Sequence, residues 1–215
     1  MVPDEPQMSF AEAVEGRRSV RRYRPDPVPR ADVERMVALA SRAASAGNAQ
    51  MWRFIAVQDR EVLQAMKHAV DERFDEMKAW PELAEEGKEV RAARAYATFF
   101  AEAPLCVAVM CLPYSSRMDH MLQLRGLSRV ECDRLRQRPD LQSVGAAVQL
   151  LITAAHSLGY GGCWMSAPVV AAEGLERVLG VEPPAQLVAL VPIGRPAGAP
   201  KRSRRQPLDE ILSFR

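Results

Sequence analysis

Apolar and polar residues alternate along this chain in blocks of clear period. Val33, Met36, Val37, Ala40 and Ala44 recur at i, i+3, i+4, i+7 and i+11, the spacing of one helical face, so a helix is predicted from about Arg30. Two further amphipathic stretches, REVLQAMKHAVDERF and KEVRAARAYATFFAEA, predict helices, the second stopped by Pro104. LQSVGAAVQLLITAAHSLG is apolar nearly all round. Val144, Ala147, Val148, Leu151, Ile152, Ala155 and Leu158 form one stripe, and Ala146, Leu150 and Ala154 extend it. Such a helix lies in the middle of a protein or in an interface, with Gly159 placed as its C′ stop.

Strands are predicted where apolar runs are short and continuous. WRFIAVQD, LCVAVMCL (Leu105 to Leu112), YGGCWM and QLVALVPIGRP are of strand length, and the second reads as buried on both faces. Two short helices frame the set. SFAEAVEGRR carries Ser9 as N-cap and Glu12 at the capping-box position, and PVVAAEGLERVLG opens at Pro168. The stretch from Tyr114 to Arg138 is polar and rich in Arg and Met, and reads as a helical excursion, either a lid or a surface helix. About six helices and four strands, too unevenly alternated for regular βαβ winding, predict an α+β fold: a small mixed sheet covered by helices. No repeat or linker divides the chain, so residues 1–215 are expected to form a single domain with a loose N-terminal tail at 1–7.

Composition changes this picture at one point. The chain is 48% hydrophobic and 26% charged, with a net charge of only +2, so its basic residues cannot form a domain-wide nucleic-acid face. They are instead local. RRSVRRY packs four arginines into seven residues after the first helix, and KRSRRQPLDEILSFR holds a second cluster at the far end. A solvated helix end would explain the first cluster as well as an anion site would. Two guanidinium forks arriving from distant sequence are suited to clamping one phosphate, with Ser19 as a neutral donor. No GxxxxGK[ST] or GxGxxG is present, so neither a P-loop nor a dinucleotide-binding Rossmann domain is expected.

Other chemistry is thin. Cys106, Cys111, Cys132 and Cys163 are scattered without metal-ligand or redox-pair spacing, so no metal is expected and the compartment reads as reducing and cytoplasmic. The N-terminus has no apolar signal segment. Leu141 to Ala172 holds no Asp, Glu, Lys or Arg, yet its glycines, glutamines and serines fit a buried helix plus a buried strand better than a membrane span. Trp52 and Trp164 read as core residues rather than substrate platforms, His156 as a core or interface histidine, and His68 and His120 as surface. Cys163 reads as a buried structural cysteine, and no side chain stands out as a catalytic acid or base.

Taken in order, RRSVRRY, SAGNAQMWRF, VGAAVQLLITAAHSLGYGGCWM, VPIGRP and RRQPLDEIL closely resemble the nitroreductase family of FMN-dependent oxidoreductases, over roughly Phe10 to Leu212. The resemblance implies an intertwined homodimer with FMN bound at the interface, reduced by NAD(P)H. By that analogy Arg17, Arg18, Ser19 and Arg21 hold the phosphate, ribityl chain and pyrimidine edge. Ser45 and Asn48 approach the ring from the other subunit, and Met165, Ser166 and Ala167 approach N5 and O4. Arg205 is the late phosphate arginine, with Arg202 and Arg204 as unranked neighbours. The chain departs from the family where Ala44-Ser45 replaces Pro-Ser, where Met51 replaces the proline before the tryptophan, and where Ser166 replaces a carboxylate found in some members. The expected activity is hydride transfer from NAD(P)H to a small aromatic acceptor by alternating use of one site. A specialised reductive dehalogenase or flavin-fragmenting enzyme, and a non-catalytic flavin-binding protein, remain as alternatives.

Overall fold

The computed structural model describes residues 8–200 and 204–215. The expected tail at 1–7 and Arg202 lie outside the described residues. In chain order the elements are α1 (Phe10–Gly16), α2 (Arg30–Ala40), β1 (Trp52–Val57), α3 (Arg60–Lys78), α4 (Gly87–Thr98) and β2 (Leu105–Cys111). There follow α5 (Arg117–Leu124), α6 (Arg129–Arg136), α7 (Pro139–Ser157), β3 (Gly161–Gly162), α8 (Ala172–Leu179), β4 (Gln186–Gly194) and α9 (Leu208–Ile211). The fold is α+β, as expected.

The four strands form one sheet in the order β1-β2-β4-β3, antiparallel at every pairing. The parallel component of the expected mixed sheet is a single bridge between Ser19 and Gly162. Every residue of β2 is buried, because helices cover both faces. Leu105, Val107, Val109 and Cys111 point into a core built with α2 and α7, while Cys106, Ala108 and Met110 point into a second core built with α3, α4 and α8. On β4 this alternation slips. Ala189, Val191 and Ile193 face the first core, but Leu187 and Leu190 both face the second. A bulge between Val109 and Met110 of β2 skips Val188 and resets the register.

The local signals at helix ends are realised. Ser9 and Glu12 close a complete capping box on α1. At the other end of α7, Gly159 takes φ 79°, and Tyr160 N–H donates to Ala155 O at 2.9 Å, so the chain turns sharply from helix into β3. Two expected helices are shorter. α2 stops at Ala40, short of Ala44, and α4 stops at Thr98, with the remainder to Glu102 tightening into a 3₁₀ turn. The excursion at 114–138 resolves into α5 and α6, each with its own capping box, Ser116–Asp119 and Ser128–Glu131. An ion pair of Arg136 with Asp119 at 2.8 Å joins α6 to α5, and Arg129 reaches Asp140 at 3.8 Å at the start of α7, where Arg138 also meets Asp140 at 2.9 Å. Burial works against the Asp140 carboxylate, but the Arg138 guanidinium overcomes it and holds its pKa below the usual range. Among the described residues no helix is long and apolar enough to cross a membrane.

Candidate functional site

The arginine motif leaves α1 at Arg17, whose N–H caps the helix on Ala13 O. The chain then runs beside the edge of the sheet. Val20 N–H donates to Gly162 O at 3.1 Å, and Tyr23 donates its hydroxyl to Pro192 O at 3.1 Å. The approach is close enough to depend on glycine, since a Cβ on Gly161 would stand 2.4 Å from Val20 Cγ2. Val20 is buried while Ser19 and Arg21 are exposed. Extended backbone alternates its side chains, so Arg17, Ser19 and Arg21 share a face that Val20 does not.

Arg18 is turned away. Its Nη1 donates to the backbone carbonyls of Glu15 and, at 2.8 Å, Arg17. Arg17 is half-buried, and its pKa is lowered by burial first and then by the like charges of Arg205 and Arg18. The two ends of the chain therefore bring Arg17 and Arg205 into one field. Arg21, on the same face, reaches toward α4. Its guanidinium carbon lies 5.6 Å from the centroid of the Tyr96 ring, with Nη2 3.5 Å from the Tyr96 hydroxyl. The Tyr96 contact raises its pKa, against a smaller opposing effect of burial.

Several arginines elsewhere in the chain are neutralised by carboxylates. Arg94, Arg129, Arg136 and Arg138 all sit against aspartates within 4 Å. Among the described residues no carboxylate pairs with Arg17, Arg18, Arg21 or Arg205. Like charges gathered without a counter-charge cost free energy unless an anion arrives.

Beyond β3 the chain supplies a second wall. Met165 exchanges both backbone hydrogen bonds with Leu190, at 2.9 and 3.0 Å, and its side chain is buried in the second core. Ser166 is exposed and Ala167 half-buried, so at this segment Ser166 and Ala167, rather than the buried and backbone-paired Met165, are available to a ligand. Cys163 is buried with its thiol near Ser19, Arg21 and Arg17. Burial raises its pKa, and those three neighbours oppose the rise. Cys106, Cys111, Cys132 and Cys163 are all unpaired, and no group of His, Cys, Asp or Glu among the described residues is placed to hold a metal.

Trp164 corrects an expectation. It is 42% exposed rather than in the core, and its indole edge lies over Gly145 of α7, 3.2 Å from where a Cβ would be. Trp52 is buried as expected. His156 is only half-buried. It packs against Gly16, and its pKa is lowered by burial and then by Arg17 and Arg18. It thus borders the Arg17 end of the site, which its place on an apolar helix did not suggest.

Ser45 and Asn48 stand apart from this cluster. They lie on the turn after α2, where Gly47, Asn48 and Gln50 all take positive φ, near 50–60°. Ser45 Oγ accepts from Gln50 N–H at 3.1 Å. Ala46 N–H donates at 3.1 Å to Ser143 Oγ, which itself donates to Pro139 O at 2.6 Å. The turn is built to hold one shape, yet among the described residues none of its hydrogen bonds reaches Arg17–Arg21 or Met165–Ala167. Tyr96, His156, Gln50 and Ser143 were not singled out as site residues in the sequence. The glycine-asparagine turn is the one local cue that touches any of them.

Similarity to known proteins agrees with this geometry. The sequence pattern of the Nitroreductase family matches residues 14–195. A 5,6-dimethylbenzimidazole synthase of Rhodospirillum rubrum is 32% identical over 181 residues, covering 84% of this chain and 78% of that protein. A protein of Methanothermobacter thermautotrophicus, provisionally named an NADH dehydrogenase/NAD(P)H nitroreductase, is 25% identical over 197 residues, covering 90% of this chain and 81% of that one. Among solved structures, a BluB-like flavoprotein from Clostridium difficile 630 superposes with a TM-score of 0.87 at 27% identity, covering 96% of this chain and 99% of the other.

Proposed function

The chain belongs to the nitroreductase family, and from that premise we propose that it is an FMN-dependent oxidoreductase acting on a small aromatic acceptor. The observation that carries the proposal is the set of guanidinium groups without carboxylate partners, Arg17, Arg21 and Arg205, of which Arg17 and Arg21 stand near Cys163, two residues before Met165–Ala167. A dianionic phosphate supplies the counter-charge that Arg17 and Arg205 lack, and their planar forks suit its oxygens. Ser19, on the same face, would donate to the ribityl chain. Arg21, at the far end of that face, provides a fixed cation at the pyrimidine edge, where negative charge accumulates on reduction. Ser166 and Ala167 present small groups to the ring. Arg18 supports the motif by bonding its own backbone, and Arg204 is a neighbour in the second cluster.

Ser45 and Asn48 complete this reading only if they come from a second copy. We therefore propose a homodimer in which the turn at residues 45–50 of the partner subunit closes the flavin cleft. Its isolation from Arg17–Arg21 within one subunit supports this arrangement. The whole chain acts as one domain. The unpaired cysteines support a reducing, cytoplasmic setting.

Bound FMN would supply the redox chemistry, taking a hydride from NAD(P)H and passing it to an acceptor such as a nitroaromatic or quinone. The chain's own part is to bind, orient and stabilise charge. Among the described residues no side chain stands out as an obligatory acid or base, and solvent or the flavin itself would supply protons. With no second nucleotide fold among the described residues, reductant and acceptor use the same open face in turn, which predicts parallel lines in steady-state plots. The deciding experiment is the visible spectrum of the purified protein, reconstituted with FMN, before and after NAD(P)H and then a quinone. Bands of bound oxidised flavin that bleach and return support the proposal. A protein that takes up no FMN refutes it.

A second reading has its own support. The resemblance to a 5,6-dimethylbenzimidazole synthase at 32% identity and to a BluB-like flavoprotein at a TM-score of 0.87 favours a flavin-fragmenting activity. Incubating reduced FMN with the protein in air and looking for 5,6-dimethylbenzimidazole by mass spectrometry separates the two.

A further inference from the structure

Arg21 is exposed, and a free arginine side chain samples many rotamers, carrying about 2 kcal/mol of conformational entropy. In this structure it is held in place by an element distant in sequence. The Tyr96 ring lies 5.6 Å from its guanidinium carbon, and that ring is braced edge-on by Phe99, with centroids 5.8 Å apart at 68°. Helix α4, which carries Tyr96, is in turn clamped to α3. Arg94 Nε meets Asp71 Oδ1 at 2.6 Å and its Nη1 meets Asp75 Oδ1 at 2.7 Å, while Lys67 Nζ holds the other oxygen of Asp71 at 2.6 Å. The perch is therefore fixed at both levels, ring and helix.

We propose that Tyr96 is a positioning residue that holds Arg21 as a fixed and un-neutralised cation toward the pyrimidine edge of the flavin. The inference rests on the FMN reading above and adds a residue to it. The physical point lies in the kind of partner. A carboxylate would orient Arg21 equally well but would cancel the charge that makes it useful. An aromatic face attracts the cation through its quadrupole and carries no net charge. Where arginines tie one helix to another the partner is aspartate, while Arg73 and Arg195 also lie over aromatic rings, those of Trp80 and Tyr160. At Arg21 it is a tyrosine, and no carboxylate among the described residues lies within ion-pair distance.

A positioned cation acts on the difference between reduced and oxidised flavin more than on binding of the oxidised form. The test uses FMN-loaded protein carrying Tyr96→Phe, Tyr96→Leu or Tyr96→Glu, each also in an Arg21→Ala background. Two quantities are read: the flavin midpoint potential and the dissociation constant of oxidised FMN. For an exposed cation–π contact, Tyr96→Leu is expected to lower the ratio of reduced to oxidised affinity by about twofold to fivefold. That is a fall of about 10–20 mV for a two-electron couple. Tyr96→Phe keeps most of the wild-type potential, Tyr96→Glu lowers it more than leucine does, and the differences made by Phe and Leu vanish once Arg21 is alanine, while the glutamate's own charge leaves a residual fall. Tyr96 is 46% exposed, so these substitutions leave the core intact, and Tyr96→Phe removes only a hydroxyl. An unchanged potential in flavin-loaded Tyr96→Leu would overturn the inference, as would an equal shift in the Arg21→Ala background. Either result leaves the FMN reading standing. Wild-type protein without a flavin spectrum would instead overturn that reading and this inference together.

Discussion

Removing Arg205 tests the clamp from its weaker side. Arg205 is exposed and close enough to Arg17 to lower the pKa of that half-buried guanidinium. In the flavin-free protein the two charges repel, so Arg205→Ala should leave stability unchanged or slightly raised. With FMN bound the balance reverses. A charge-assisted hydrogen bond is worth about 1.5–3 kcal/mol, so the dissociation constant for FMN should rise roughly tenfold to a hundredfold or more. Thermal unfolding displays both effects in one experiment. At FMN a hundred times the wild-type dissociation constant, the wild-type gains about 2.7 kcal/mol. A variant with thirtyfold weaker binding gains about 0.9 kcal/mol at the same concentration. For a chain of this size the ligand-induced rise in Tm should then shrink from about 5–11 °C to about 2–4 °C. Riboflavin lacks the phosphate and should bind both proteins alike, as calorimetry or flavin fluorescence would show. The reasoning fails if FMN affinity is unchanged, or if riboflavin loses as much affinity as FMN does.

Gly161→Ala should cost about 1–3 kcal/mol in urea unfolding and weaken FMN binding, because the new methyl displaces Val20 and with it the arginine strand; Val20→Ala should partly restore both. His156 has a pKa held below its ordinary 6.5, so the unfolded chain binds its proton more readily than the folded one. Flavin-free stability should therefore fall as pH drops below 6.5 toward the folded value, and His156→Gln should flatten that slope in a pH series of melts. Ser143→Ala should leave Ala46 N–H without its acceptor and cost about 1 kcal/mol. If the 45–50 turn does close a partner's cleft, the same change should raise the FMN dissociation constant without altering riboflavin's ratio to it.

Much of the fold is local, and local physics is written in the sequence. The capping box at Ser9 and Glu12, the apolar surface of α7, the glycine stop at Gly159 and the unbroken apolar run of β2 each depend on residues within one or two turns of each other. The boxes Ser116–Asp119 and Ser128–Glu131 were legible in the same way, although the Arg- and Met-rich surroundings masked them. The arginine motif also stood out in the sequence, and its ordered company pointed to a flavin phosphate.

What the sequence did not contain is which arginine points where. Arg17, Arg18 and Arg21 are chemically alike. They are separated by the parity of an extended strand against Gly162, by the arrival of Arg205 from the far end of the chain, and by a tyrosine on α4. Trp164 makes the same point from the other direction. Strand alternation says that it faces away from Met165, but whether that face is core or open depends on what packs there, and α7 offers it a glycine and solvent. Charge, periodicity and capping act over a few residues and are fixed by their local order. Convergence depends on how distant elements pack, and packing is a property of the whole chain.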